Sequence, residues 1–291
     1  MGLAWMQAAA AITILSWSIG LGLLARLVYV HSAKDWHAVS CVLALTFGLC
    51  GLLMYAAYLA TFDARWMFAA IKIGSIGLLL PIYFTVCHRM IPFFAGAALP
   101  GYRTDRPMWS LALVWTTALA HLYLEIRHGY AWIWLPAGLL CVHCAWLLFK
   151  WWPRQSMPAL LRVLFVGFTW LPIAFGLYAI QSAWYATTGA FILGRAPAHA
   201  LFIGFFGSLL VAMVTRVTQG HSGRPLVLGA VAAVAFVLLQ GVAIVRIVAE
   251  TMPDAMLWQV LAAVGWVVAF LPWVLRSGWI YLTPRADGRM G

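Results

Sequence analysis

Two histidines bracket one apolar run of this chain. His199 opens it, and His221 lies in the polar turn Gln219-Gly220-His221-Ser222-Gly223-Arg224 that closes it. Imidazole is the commonest metal ligand and is uncommon inside a bilayer, so such a pair points to metal or cofactor chemistry. At about 1.5 Å rise per residue, the separation amounts to roughly 33 Å of helix, about one membrane thickness. One metal cannot bind both. As ligands they would serve two sites, at opposite faces of a membrane.

The other candidates sort around them. Glu125 stands one helical turn beyond His121, where it can orient a ligating ring through its second nitrogen. His88 and His221 adjoin arginines and glycine- or proline-containing turns; the plainer reading of each is a hydrogen bond to a backbone carbonyl at a helix end. His31, His37 and His128 read as interfacial polarity, and His143 sits within an apolar run. Lys72 and Glu125 lie within or at the edge of apolar segments, where they either pair with each other or line a wet path. Cys141-Val142-His143-Cys144 resembles a metal motif only superficially, since cysteine is an ordinary small residue of buried helices. CxxCH, GxGxxG, Walker A and HExxH patterns are absent.

The elements that position these groups are membrane spans. The chain has 291 residues, 65% hydrophobic and 9% charged, against about 25% charged for a soluble domain. Seventeen Trp and ten Tyr suit aromatic belts at both interfaces. The net charge of +11 is scattered through short loops, which excludes a nucleic-acid-binding face. Five cysteines are too few for a disulfide scaffold, and the N-terminus reads as a span rather than a signal peptide.

The hydropathy pattern predicts an all-α, polytopic transmembrane helix bundle forming one integral-membrane domain over 1–291. About nine spans are expected, near 5–29, 37–60, 66–88, 108–126, 130–150, 159–184, 197–218, 226–249 and 255–276. Residues 89–107, with Pro92, Pro100, Gly101 and Pro107, read as a loop or short interfacial segment. Gly204, Gly207 and Ser208 suit close helix packing. One side collects Arg26, Lys34, Arg89, Arg103, Arg106, Lys150, Arg154, Arg162, Arg216, Arg224, Arg276, Arg285 and Arg289. The other has only Arg65, Arg127, Arg195 and Arg246. The first side is therefore expected to be cytoplasmic and to carry the C-terminus, with the N-terminus outside.

Two segments also resemble a known family. His199-Ala200-Leu201 with Gly204 and Gly207, followed by Arg216-Val217, Gly220-His221 and Gly223-Arg224, is similar to the signature of the NnrS family. Cys87-His88-Arg89-Met90-Ile91-Pro92-Phe93-Phe94 resembles a second element of it, and Pro284-Arg285 fits its C-terminal helix. The resemblance implies a multi-pass protein of the bacterial cytoplasmic membrane that binds haem and copper and serves nitric oxide metabolism or relief of nitrosative stress. His88, His199, His221 and His121 become its candidate ligands, and Arg89, Arg216 and Arg224 suit haem propionates or anionic lipid headgroups.

A WHAHEM-type motif usual in the family's first spans has no counterpart here; Trp36-His37-Ala38 only echoes it. The chain is therefore expected to correspond to the family's later spans, as a short homologue, a truncation, or a subunit that docks with a separately encoded N-terminal fragment. A different class, a small-solute permease with Lys72 and Glu125 along its path, is the alternative. Whether the protein is an enzyme is left open at this point.

Overall fold

The computed structural model describes residues 2–31 and 35–288. Lys34 and Arg289, counted above toward orientation, lie outside the described residues. Among the described residues the regular structure is helical: α1 Gly2–Val30, α2 Trp36–Thr61, α3 Ala64–Ala98, α4 Trp109–Ile126, α5 Tyr130–Trp151, α6 Ala159–Thr188, α7 Ala196–His221, α8 Ala230–Ala249 and α9 Ala255–Tyr281. All but α4 are long and apolar enough to cross a membrane, which makes the chain an all-α polytopic bundle. Helix α4 carries both His121 and Glu125 within its 18 residues.

Each of the nine expected segments is helical among the described residues, but eight rather than nine have the length and apolarity of a span, and one of these is extended. Helix α3 runs ten residues past the expected end and continues through Pro92 to Ala98. Proline removes one backbone donor from such a helix. The burial of Ile91 before Pro92 and of Phe94 and Ala95 after it holds the helix together. The true loop is then short. Trp151 pins it by donating its indole N–H to Asp105 O at 2.8 Å and accepting the Tyr102 hydroxyl on its own carbonyl at 2.9 Å.

The chain divides into two compact units, one of residues 1–90 and 106–136, the other of 91–105 and 137–291. In the first unit, α2 and α3 run antiparallel in a regular register. His37 meets His88, Ser40 meets Thr85, Gly48 meets Leu78 and Gly51 meets Gly74. Over the whole contact the separations agree: the 14 residues from His37 to Gly51 are answered by the 14 from His88 back to Gly74. Gly48 permits the close approach, since a Cβ there would stand 3.1 Å from Leu78 of α3 and 2.7 Å from Trp17 of α1. Helix α1 rests on α2 through Trp17, whose N–H reaches Leu45 O at 2.9 Å.

In the second unit, α6, α7, α8 and α9 pack around Trp170 and Trp273. Trp170 donates to Gln240 Oε1 at 2.6 Å, and Gln240 Nε2 donates to Ser208 Oγ at 2.8 Å, tying three helices through one amide. The Trp170 ring lies where a Cβ of Gly204 would be, 2.5 Å from its nearest atom. The expected role of Gly204, Gly207 and Ser208 in close packing is therefore seen directly, with Leu239 set against Gly207.

Among the described residues each unit also contains one π-helical stretch, Ile73–Leu79 in α3 and Ala200–Gly207 in α7. Both carry two glycines three residues apart, Gly74 with Gly77 and Gly204 with Gly207. Glycine loosens the α ladder, and π turns inside α-helices frequently mark functional sites.

Candidate functional site

The seven carboxylates of the chain are all committed, and following them locates its polar centres. Asp63 and Asp254 cap α3 and α9, accepting from Arg65 N and Leu257 N. Asp105 pairs with Lys150, and Asp287 with Arg285. The remaining three, Asp35, Glu125 and Glu250, each face a histidine.

The first centre lies at the start of α2. Asp35 caps the helix by accepting from His37 N at 2.9 Å, and its other oxygen takes a hydrogen bond from Arg89 at 2.7 Å. Burial alone would raise this carboxyl. The backbone N–H groups of His37 and Ala38 together with the Arg89 charge outweigh it and hold the group below the usual aspartate value. His37 Nδ1 stands 3.4 Å from Asp35, and its Nε2 lies 3.0 Å from His88 Nδ1. His88 Nε2 in turn lies 3.2 Å from Pro107 O.

A carbonyl only accepts, so His88 Nε2 carries hydrogen and a neutral His88 presents a bare Nδ1 to His37. The line Asp35–His37–His88–Pro107 is thus a chain of polar contacts in which a neutral His88 accepts from His37 Nε2 and donates to Pro107 O. Beside it, Trp115 donates to Ser40 at 2.8 Å and Ser40 shares a 2.7 Å bond with Thr85.

The second centre sits where α3 turns from α to π geometry. Lys72, the residue just before the π stretch, forms a 2.7 Å ion pair with Glu125 of α4. The other Glu125 oxygen is 3.5 Å from His121 Nε2. His121 has no solvent exposure, and Glu125 is nearly as buried. The i to i+4 arrangement inferred from sequence is present, and so is the plain Lys72–Glu125 pairing.

The third centre repeats that placement in the second unit. His199 immediately precedes the π stretch of α7. Its Nε2 lies 2.7 Å from Arg246 Nη2 and 3.2 Å from Glu250 Oε1. A guanidinium only donates, so Nε2 is the acceptor and a neutral His199 carries its hydrogen on Nδ1. Glu250 also accepts from Arg195 N at 3.0 Å. Its carboxyl is pushed up by burial but held lower on balance, with the Arg195 N–H and the Arg246 charge acting in that direction.

The signature turn after α7 is clamped by the C-terminal segment. Arg285 donates to His221 O at 2.8 Å, and Ala286 N donates to Ser222 O at 2.9 Å. Gly223 has φ +68° and packs against Asp287, so both its backbone and its missing side chain are required there. His221 itself is exposed, at the last position of α7.

The candidate residues from sequence therefore fall into separate places. His88 joins His37, a residue whose sequence context suggests only interfacial polarity; the α2–α3 register brings the two together. Of the candidate propionate arginines, Arg89 is spent on Asp35, Arg216 stacks on the Phe94 ring at 3.9 Å, and Arg224 bonds Thr283 Oγ1 at 3.0 Å. His199 and His221 occupy opposite ends of α7, as their spacing required. Among the described residues, no group of three or more His, Cys, Asp or Glu side chains is gathered to hold a metal ion.

A family model described as NnrS protein matches residues 1–285. No curated protein and no solved structure matches the chain.

Proposed function

The chain belongs to the NnrS family, and on that premise we propose that it serves nitric oxide metabolism or the response to nitrosative stress, holding haem or copper on histidine in a bacterial cytoplasmic membrane. The observation that carries this reading is His121: a fully buried imidazole facing a carboxylate that Lys72 in turn anchors. Ligating imidazoles are characteristically oriented by such a partner. Haem or copper bound there would supply a centre that takes nitric oxide as a ligand. The protein's part is to keep the ring in one orientation and to exclude water, and Glu125 and Lys72 do the first.

The fit of the other candidates is poorer. His88 spends both nitrogens, one on Pro107 O and one on His37. His199 Nε2 already accepts from an arginine, whose positive charge opposes a metal cation. His221 offers an accessible ring at a helix end, without a buried shell around it. His121 is accordingly assigned the first place among the ligands.

The test is a reduced-minus-oxidised absorbance spectrum of the purified protein with iron and copper analysis, repeated with nitric oxide. A Soret or copper band that shifts with nitric oxide and disappears in His121→Ala supports the reading. A folded His121→Ala protein with unchanged metal and spectrum overturns the assignment of His121. The permease reading draws support from the same Lys72–Glu125 pair, since ionisable groups within spans often mark solute or proton paths. Uptake of a small solute by metal-free protein in proteoliposomes, lost in Lys72→Met, would favour it.

A further inference from the structure

Where α7 ends and α8 begins, Thr215, Thr218, Gln219, Arg224, Arg276 and Ser277 surround a cavity of about 160 Å³. Two buried atoms of these side chains have no hydrogen-bond partner: Nη1 of Arg224 and Oε1 of Gln219. Leaving such atoms unsatisfied is costly, so a site that holds them in place asks for a ligand.

Both side chains are held. Arg224 is fixed by its other arm, Nη2 to Thr283 Oγ1 at 3.0 Å. Gln219 is fixed by Nε2 donating to Val227 O at 2.7 Å. That second bond also settles which end of the amide is oxygen, because a carbonyl cannot donate to Val227 O. Thr215 Oγ1 accepts from Trp273 Nε1 at 2.9 Å, which leaves its hydroxyl hydrogen available as a donor.

The wall is therefore rich in donors and positive charge, with a single oriented acceptor. Arg224 and Arg276 bring two guanidinium groups, and no carboxylate lines the cavity. Guanidinium matches the planar face of an oxyanion, whereas Gln219 Oε1 requires a hydrogen from the ligand. Pro225, Val227 and Ile280 complete an apolar side at the ends of three membrane-spanning helices.

We propose that this cavity binds a phosphate group with an adjacent hydroxyl, the arginines taking the anionic oxygens and Gln219 Oε1 accepting the hydroxyl hydrogen. Two sources present that chemistry: a phospholipid headgroup such as that of phosphatidylglycerol, and free hydrogen phosphate. The site requires no metal, so it stands or falls separately from the nitric oxide reading.

The full chain, purified in detergent, is tested by native mass spectrometry with phosphatidylglycerol and phosphatidylcholine and by calorimetric titration with inorganic phosphate. A lipid site predicts retained phosphatidylglycerol but not phosphatidylcholine, with retention weakened about five- to tenfold in Arg224→Gln. Heat from inorganic phosphate that is lost in Arg224→Gln identifies free phosphate as the ligand instead. Should Arg224→Gln fail to fold, Arg276→Gln supplies the charge test.

Gln219→Leu is the sharper variant, because it should erase any preference for phosphatidylglycerol over phosphatidylmethanol, which has the same charge without the hydroxyl. Equal retention of charged and zwitterionic lipid by wild type and variants, with no heat from phosphate, overturns the proposal.

Discussion

His37 Nε2 and His88 Nδ1 lie 3.0 Å apart, and Pro107 O decides how they share a proton. Because that carbonyl holds hydrogen on His88 Nε2, a neutral His88 accepts from His37 rather than offering a lone pair to a ligand. Replacing His88 with Leu should cost about 1–3 kcal/mol, since it strands the His37 donor and the Pro107 acceptor. The double variant His37→Leu/His88→Leu should recover part of that loss. Thermal unfolding in detergent measures the cycle; strictly additive losses would show that the two rings are not coupled.

Asp35 adds a pH signature outside the spans. Its folded-state carboxyl lies below the ordinary value of 3.8. A depressed acid contributes its full stability above that ordinary value and loses it as pH falls through the lower folded one. Asp35→Ala should therefore lower stability near neutral pH by about 1 kcal/mol, the usual scale of a lost cap. The gap from wild type should close below about pH 3.8. A gap that does not change with pH would place Asp35's contribution in packing rather than charge.

Lys72 and Glu125 test the centre at the first π stretch. Lys72→Met leaves a nearly buried carboxylate without its cation and should cost about 3–5 kcal/mol. Lys72→Met/Glu125→Leu removes both charges and should restore most of it. If the single variant unfolds at the wild-type temperature, Glu125 is satisfied by His121 alone.

Two glycines make steric predictions. Gly204→Ala puts a methyl into the Trp170 ring and should destabilise by about 1–3 kcal/mol, the scale of overpacking. Gly223→Ala strains a left-handed residue by about 1–2 kcal/mol and pushes against Asp287, so it should release residues 283–288. Limited proteolysis reads the second effect as faster cleavage after Arg285, while unchanged cleavage would mean the tail is held elsewhere.

The expected orientation can be checked by reporters. A fluorescent protein fused at the C-terminus should fold in the cytoplasm and glow, and alkaline phosphatase fused there should stay inactive. The reverse result would invert the orientation inferred from the arginines.

Much of this was legible in the residues themselves. Long apolar runs specify spans because backbone polar groups in a bilayer must be satisfied within the helix, and the ends of α2, α4, α6 and α8 fall close to where hydropathy put them. The His199–His221 spacing fixed opposite ends of one helix. The Glu125–His121 relation followed from helical periodicity alone. The family motif was readable because its glycines and charges are local.

Tertiary structure decided the rest. Hydropathy records burial but not rotation or register, so nothing local told that His37 faces His88 or that Arg246 reaches the ring of His199. Proline at 92 looked like an end, yet packing of Ile91, Phe94 and Ala95 carried α3 beyond it. The two arginines of the signature share a motif yet take different partners, Arg216 the Phe94 ring and Arg224 the cavity beside Gln219. Local chemistry is written in residue types and intervals. Which polar group meets which depends on helix contacts that only the folded bundle creates.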